Sequence, residues 1–180
     1  MRWHTKPTII LMKCYVIPLL LALCPATAHA ADAGKVAFFG ITYLDTSLQS
    51  EAFGQDPAEV ARIKLLEDLV RQTFTEQGYN LLDLSPIQEQ LDTVVNPAKC
   101  YGCDARMATK LGADYALVGE VQKVSNLILS MNLQLRDAAS GQTVKGRVVD
   151  IRSNTDESWL RGMRYILKNA IFKDEMGGKP

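Results

Sequence analysis

The clearest pattern in the chain lies in residues 127–136, where Leu127, Leu129, Met131, Leu133 and Leu135 alternate with Ser130, Asn132, Gln134 and Arg136. Successive side chains of a strand point to opposite faces, so a period of two predicts a half-buried strand, its leucines facing a core and Gln134 facing water. An apolar run over residues 112–121 precedes it and a mixed run over residues 142–151 follows. Asp137, Ser140 and Gly141 supply turn chemistry before the last run, with Gly141 suited to the positive φ of a bulged hairpin. Together these segments predict a three-stranded antiparallel meander over residues 111–151.

Earlier in the chain, Val36, Phe38 and Ile41 predict a first strand over residues 35–43 that is apolar on both faces, as a strand between two helical layers would be. Residues 44–55 read as a polar loop. Asp56, Pro57 and Glu59 then have the spacing of an N-cap, a first-turn proline and a capping-box partner. Val60, Ile63, Leu66, Leu69, Val70 and Phe74 follow at helical spacing until Gly78, while Lys64 with Asp68 and Glu67 with Arg71 mark a solvated face. Residues 79–84 predict a second strand, reached by a right-handed crossover. Residues 87–95 predict short helical turns, and residues 104–111 a short helix capped by Asp104. After the meander, Asn154 or Thr155 caps a last helix. Its core face carries Trp159, Leu160, Met163, Ile166, Leu167, Ala170 and Ile171, and its outer face Arg161, Arg164 and Lys168. The expected fold class is α/β with a mixed sheet: strand, helix, strand, short helices, meander, C-terminal helix.

Composition changes the picture at the amino terminus. Arg2, His4, Lys6 and Lys13 precede an apolar run over residues 14–23, and Ala28 and Ala30 flank a small-residue cleavage point. This predicts a secretory signal peptide over residues 1–30, cleaved after Ala30, and a single α/β domain over residues 31–180 with its core at about residues 35–173. Lipid attachment at Cys24 is not expected, because Leu23 stands where a lipobox needs a small residue and Pro25 follows directly. Without the leader, 17 basic residues face 20 acidic ones, a net charge of −3, and no basic stripe suggests nucleic-acid binding. No membrane span is expected in the mature chain. Both histidines, His4 and His29, fall in the leader, which excludes triad, imidazole acid–base and His-ligated zinc chemistry from the mature protein.

The segment Leu111, Gly112, Ala113, Asp114, Tyr115 through Val121, followed by Leu135, Arg136, Asp137, Ala138, Ala139, Ser140 and Gly141, resembles the sheet core of the TolB amino-terminal domain. The curli-secretion lipoprotein and the lipoprotein activators of penicillin-binding proteins share a similar core. With Cys100 and Cys103 before that strand and Asn154 to Trp159 after it, the chain is still more similar to a family of uncharacterised secreted proteins of Gram-negative bacteria. The resemblance implies a TolB amino-terminal-like fold and periplasmic interaction work, docking to envelope proteins or contributing to an assembly. The family supplies no assigned activity, and with no histidine and no recognisable catalytic motif in the mature chain no enzymatic activity and no cofactor are expected.

Cys100, Tyr101, Gly102 and Cys103 form the one motif with chemistry of its own. A structural disulfide clipping the loop, a redox-active pair and a metal site shared between molecules are its three readings. Asp104 beside Cys103 opposes a thiolate there, Lys99 could favour one at Cys100, and no histidine or further cysteine completes a metal site within the chain. Trp159 is either a core anchor or a partner-binding aromatic. Asp45, Thr46, Ser47, Gln49 and Glu51 lie in the loop beyond the first strand, where α/β sheets often hold ligands. Three functions follow: a non-enzymatic periplasmic interaction domain, a small-molecule or glycan-binding protein using that loop, and a thiol-redox protein using the cysteines.

Overall fold

A computed structural model describes Met1 and residues 33–173. The leader expected over residues 1–30, with Cys24 and the cleavage point after Ala30, lies outside the described residues apart from Met1. One mixed sheet runs in the order β2-β1-β3-β4-β5. β1 (Lys35–Asp45) is parallel to β2 (Asn80–Leu81) and to β3 (Tyr115–Ser125), while β3, β4 (Ile128–Asp137) and β5 (Thr143–Ile151) form an antiparallel meander. Between β1 and β2 the chain makes α1 (Leu48–Phe53) and the long α2 (Pro57–Glu76). Short α3 (Gln88–Leu91) and α4 (Cys103–Lys110) precede the meander. After it, α5 (Asp156–Ile166) continues into a π turn at Leu167–Ile171.

Within β4 the alternation sorts the two faces, and Leu129, Met131, Leu133 and Leu135 are buried under α2 and α5, whereas Leu127, expected in the same row, lies in the β3–β4 turn and is exposed. Phe38, Leu66, Val70, Trp159 and Met163 complete that core, and Phe74 packs its ring edge against Phe172 with centroids 5.0 Å apart. The opposite face is lined near α4 by Ala37, Phe39, Ala116 and Val118, against Ile87, Met107 and Ala108. Its alanines let α4 and the short turns lie close to the sheet. Burial on both faces explains why the first strand reads as continuously apolar.

β1 carries a bulge between Phe38 and Ile41, where Gly40 takes a φ of 82°. The freed amide of Ile41 donates to Glu67 Oε1 at 2.9 Å, and a Cβ on Gly40 would approach that oxygen to 2.8 Å. Glu67 therefore serves the bulge rather than a surface pair with Arg71, whose guanidinium lies 4.8 Å from the Phe38 ring centroid. Other expectations shift for local reasons. Residues 48–53 are helical instead of loop, and β2 keeps only Asn80 and Leu81 because its ladder with β1 ends there. α4 begins one residue early, at Cys103, with Gly102 in the left-handed conformation as its cap, so Asp104 does not cap it. Val60 is half exposed, and the inward row of α2 runs through Glu59, Leu66, Val70 and Phe74. Thr155, not Asn154, caps α5 in a reciprocal pair with Ser158.

Leu133→Ala is expected to cost about 2–5 kcal/mol in a urea denaturation series, because it empties a filled core site. Lys64→Ala, on the exposed face of α2, is expected to change stability by about 0.5 kcal/mol or less. Gln134 is not the silent control its outward position suggests, since its Oε1 accepts from Arg136 Nη2 at 2.6 Å. Equal losses at Leu133 and Lys64 would contradict the assignment of the two faces.

Candidate functional site

Cys100 and Cys103 are joined by a disulfide with Cα atoms 5.4 Å apart. A loop this short gains only about 2 kcal/mol from closure. Tyr101 inside it has a φ of 55° and is fully exposed, so the backbone reverses sharply at α4. Asp104, the next residue, is buried, and its Oδ2 lies 3.0 Å from Arg136 Nη1. The expectation that its charge opposes a thiolate at Cys103 needs correction, because Arg136 compensates that charge. Arg136 also donates to the Ala98 carbonyl at 3.0 Å and to Gln134, tying the clip to β4. Lys99 does not turn to Cys100 but pairs with Glu120 at 2.8 Å.

The loop residues beyond β1 are committed to a buried charge network. Lys123, at the core-facing end of β3, places its ammonium 2.7 Å from Glu59 Oε1 and 3.4 Å from Asp45 Oδ2. Glu59 is 1% exposed and Lys123 4%. Glu59 also accepts from the Tyr43 hydroxyl and from the Asn154 amide. Asn154 Oδ1 in turn accepts from Trp159 Nε1 at 3.0 Å and from Arg62 Nη1 at 3.2 Å, and Arg62 Nε reaches Asp156 at 2.7 Å. The network thus joins β1, α2, β3 and the entry to α5. Asp45 receives both the amide and the hydroxyl of Ser47, at 2.9 and 2.6 Å, and Thr46 Oγ1 donates to the Lys123 carbonyl. Of the expected ligand loop, Asp45, Thr46 and Ser47 direct hydrogen bonds inward, while residues 49 and 51 lie within α1. Trp159 is buried as the anchor of α5.

Sequence reasoning missed the two residues at the centre of this network. Glu59 has the spacing of a capping-box residue, yet its carboxylate turns into the core. Lys123 continues the core-facing row of Leu117, Gly119 and Val121 at period two, and that placement was the available signal. The electrostatics suit cohesion better than catalysis. Burial disfavours the Lys123 cation, but Glu59 and Asp45 outweigh it and hold its pKa above the usual lysine value. Burial likewise opposes ionisation of Asp45, but the Ser47 hydrogen bonds, with Ser50 and Lys123, hold it below the usual carboxylate range. Burial and the neighbouring carboxylates push the Tyr43 phenol far up, so it stays a donor. All three shifts lead away from neutrality, whereas an acid–base or nucleophilic group needs a pKa brought towards it.

The sheet ends at the two-residue β2 on one side and at the nine-residue β5 on the other, and β5 is the longer bare edge. It is last in the strand order, and among the described residues no strand pairs with its far side. Beside it, Arg147, Val148, Val149, Asp150, Ile151, Arg161, Gly162 and Tyr165 line a groove of about 460 Å³. Gly162 makes the groove, because a Cβ there would meet Ile151 Cγ2 at 2.9 Å, and only a glycine lets α5 lie so close. The Arg147 guanidinium sits 5.3 Å from the Tyr165 ring centroid, and no described carboxylate pairs with it. Val148 and Tyr165 are each about half exposed.

The chain belongs to the family described as "Protein of unknown function (DUF2380)", whose profile, DUF3280, matches residues 34–171. No curated protein matches the sequence. Among solved structures it is similar to lipoprotein GNA1162 from Neisseria meningitidis, with a TM-score of 0.46 and 15% identity, covering 75% of this chain and 94% of that one. It is similar also to the LpoB C-terminal domain from Salmonella enterica, with a TM-score of 0.45 and 13% identity over 67% of this chain and 83% of that one. The PelC dodecamer from Paraburkholderia phytofirmans gives a TM-score of 0.40 and 13% identity over 74% and 85%. Among the described residues no helix is long and apolar enough to cross a membrane.

The network predicts a two-sided pH dependence of thermal stability. The raised Lys123 pKa contributes stability that is present below the ordinary lysine value of 10.5 and is lost as pH rises through the folded-state value. The lowered Asp45 pKa contributes stability that is present above the ordinary 3.8 and is lost as pH falls through its depressed value. Melting curves should therefore show a plateau between those limits and a fall on either side. Lys123→Met should lower the plateau and flatten the alkaline fall; an unchanged alkaline limb would contradict the role given to Lys123.

Proposed function

We propose that the protein is a non-enzymatic accessory module of the bacterial periplasm that docks to another envelope protein along β5. The observation that carries this reading is the bare β5 edge beside an open groove. A sheet edge offers a row of backbone donors and acceptors, and such rows recruit extended segments of other chains. A strand of this length spans about 30 Å at roughly 3.4 Å per residue, enough for a peptide of eight or nine residues. Tyr165, rather than the buried Trp159, supplies the accessible aromatic of this surface.

Three further points favour an accessory role. The leader pattern and the Cys100–Cys103 bridge fit an oxidising compartment outside the cytoplasm. The ionisable groups with resolved shifts in the buried network are moved away from catalytic values. The polar side chains of Asp45 and Ser47 are spent on one another and on Lys123, which favours docking over a glycan site at that loop.

A photoreactive benzoylphenylalanine at position 148 tests the surface in cells that export the protein. The expected result is a discrete cross-linked adduct from position 148 and none from the same probe at position 64 on α2. Identical adducts from both positions, or none from position 148, would contradict docking along β5.

A further inference from the structure

We propose that the occupant of this edge is an extended acidic segment of a partner protein, with carboxylates at alternate positions, which joins the sheet beyond β5 as a sixth strand. The proposal rests on the reading of β5 as a docking edge and adds the chemistry of what docks. Side chains of an added strand alternate between the two faces, so the face next to α5 would meet Arg147 and Arg161, and the other face Val148.

The charges favour one kind of occupant. Of the charged residues lining the groove, Arg147 and, from the helix, Arg161 lie on the α5 side, and Asp150 contributes from the other row of β5. Arg161 is 71% exposed at its side chain and only loosely paired with Glu157 at 3.7 Å, a contact that water screens. Arg147 stacks near Tyr165, an arrangement that leaves the in-plane donors of a guanidinium for a bidentate carboxylate. Asp150, the acidic residue of β5, pairs with Ser130 and so faces the sheet side opposite α5. A carboxylate on the α5 side therefore meets two cations.

A second copy of this chain is the poorer fit. Antiparallel pairing of β5 with its own copy would set α5 beside α5 and bring Arg147 and Arg161 towards their equivalents. Basic residues on an edge strand are a recognised defence against such self-pairing. They turn away a like-charged edge and accept an acidic strand.

The test uses the purified protein and a fluorescein-labelled nine-residue peptide of alternating glutamate and valine, read by fluorescence anisotropy. The expected result is saturable binding that weakens about tenfold or more with a lysine–valine peptide, and by a similar factor when alternate backbone amides are N-methylated. Arg147→Glu should weaken the glutamate peptide about tenfold and favour the lysine peptide. Arg161→Glu, on the exposed face of α5, should act in the same direction and guards against misfolding of the strand variant. Indifference to N-methylation, or equal binding of both peptides, would overturn the proposal. Failure of the glutamate peptide to bind while position 148 still cross-links in cells would overturn the acidic segment and leave the docking edge standing. Failure of both would remove the edge as well.

Discussion

The ion pair between Glu59 and Lys123 is the contact on which the arrangement of this domain turns. Two charges taken from water cost more than their attraction returns unless hydrogen bonds satisfy what remains. Here Tyr43 and Asp45 from the end of β1 and Asn154 from the entry to α5 do so. Removing Lys123 strands Glu59 in the core, and removing Glu59 leaves Lys123 only the longer contact with Asp45 at 3.4 Å. The pair thereby fixes the position of α2 over β1 and β3, and through Asn154 and Trp159 it fixes α5 as well.

One consequence is that the polar groups at one end of the sheet are committed to one another, while β5 keeps an open edge among the described residues. The carboxyl ends of parallel strands are the usual ligand position in α/β folds. In this protein the groups at that end are bonded to one another. The meander instead extends the sheet sideways to β5, and the close approach of α5 at Gly162 leaves a groove along the last strand. The clip at Cys100–Cys103 fixes the short turns on the other face through Arg136 and Asp104.

Much of this architecture is legible in the sequence, for reasons that also explain the omissions. The leucine alternation of β4 and the Trp159-to-Ile171 stripe are periodic, so the meander and the last helix follow from period alone. The short helix α1 lacks a long apolar repeat, and its polar residues read as a loop. Glu59 sits where a capping-box residue belongs, and its burial depends on α2 lying against β3, a contact between segments about 60 residues apart. The β1 bulge depends on a contact between Gly40 and Glu67 that lie far apart in the chain. The open edge of β5 is a matter of strand order, which no local pattern encodes.

The central claim is that Glu59 and Lys123 act as one unit, and a double-mutant cycle on folding stability addresses it directly. Glu59→Gln and Lys123→Met are each expected to destabilise by about 3–5 kcal/mol, because each deprives a buried charge of its nearest counterpart. The double variant should lose less than the sum, giving a coupling energy of about 2 kcal/mol or more. Additive losses, with a coupling near zero, would contradict the account.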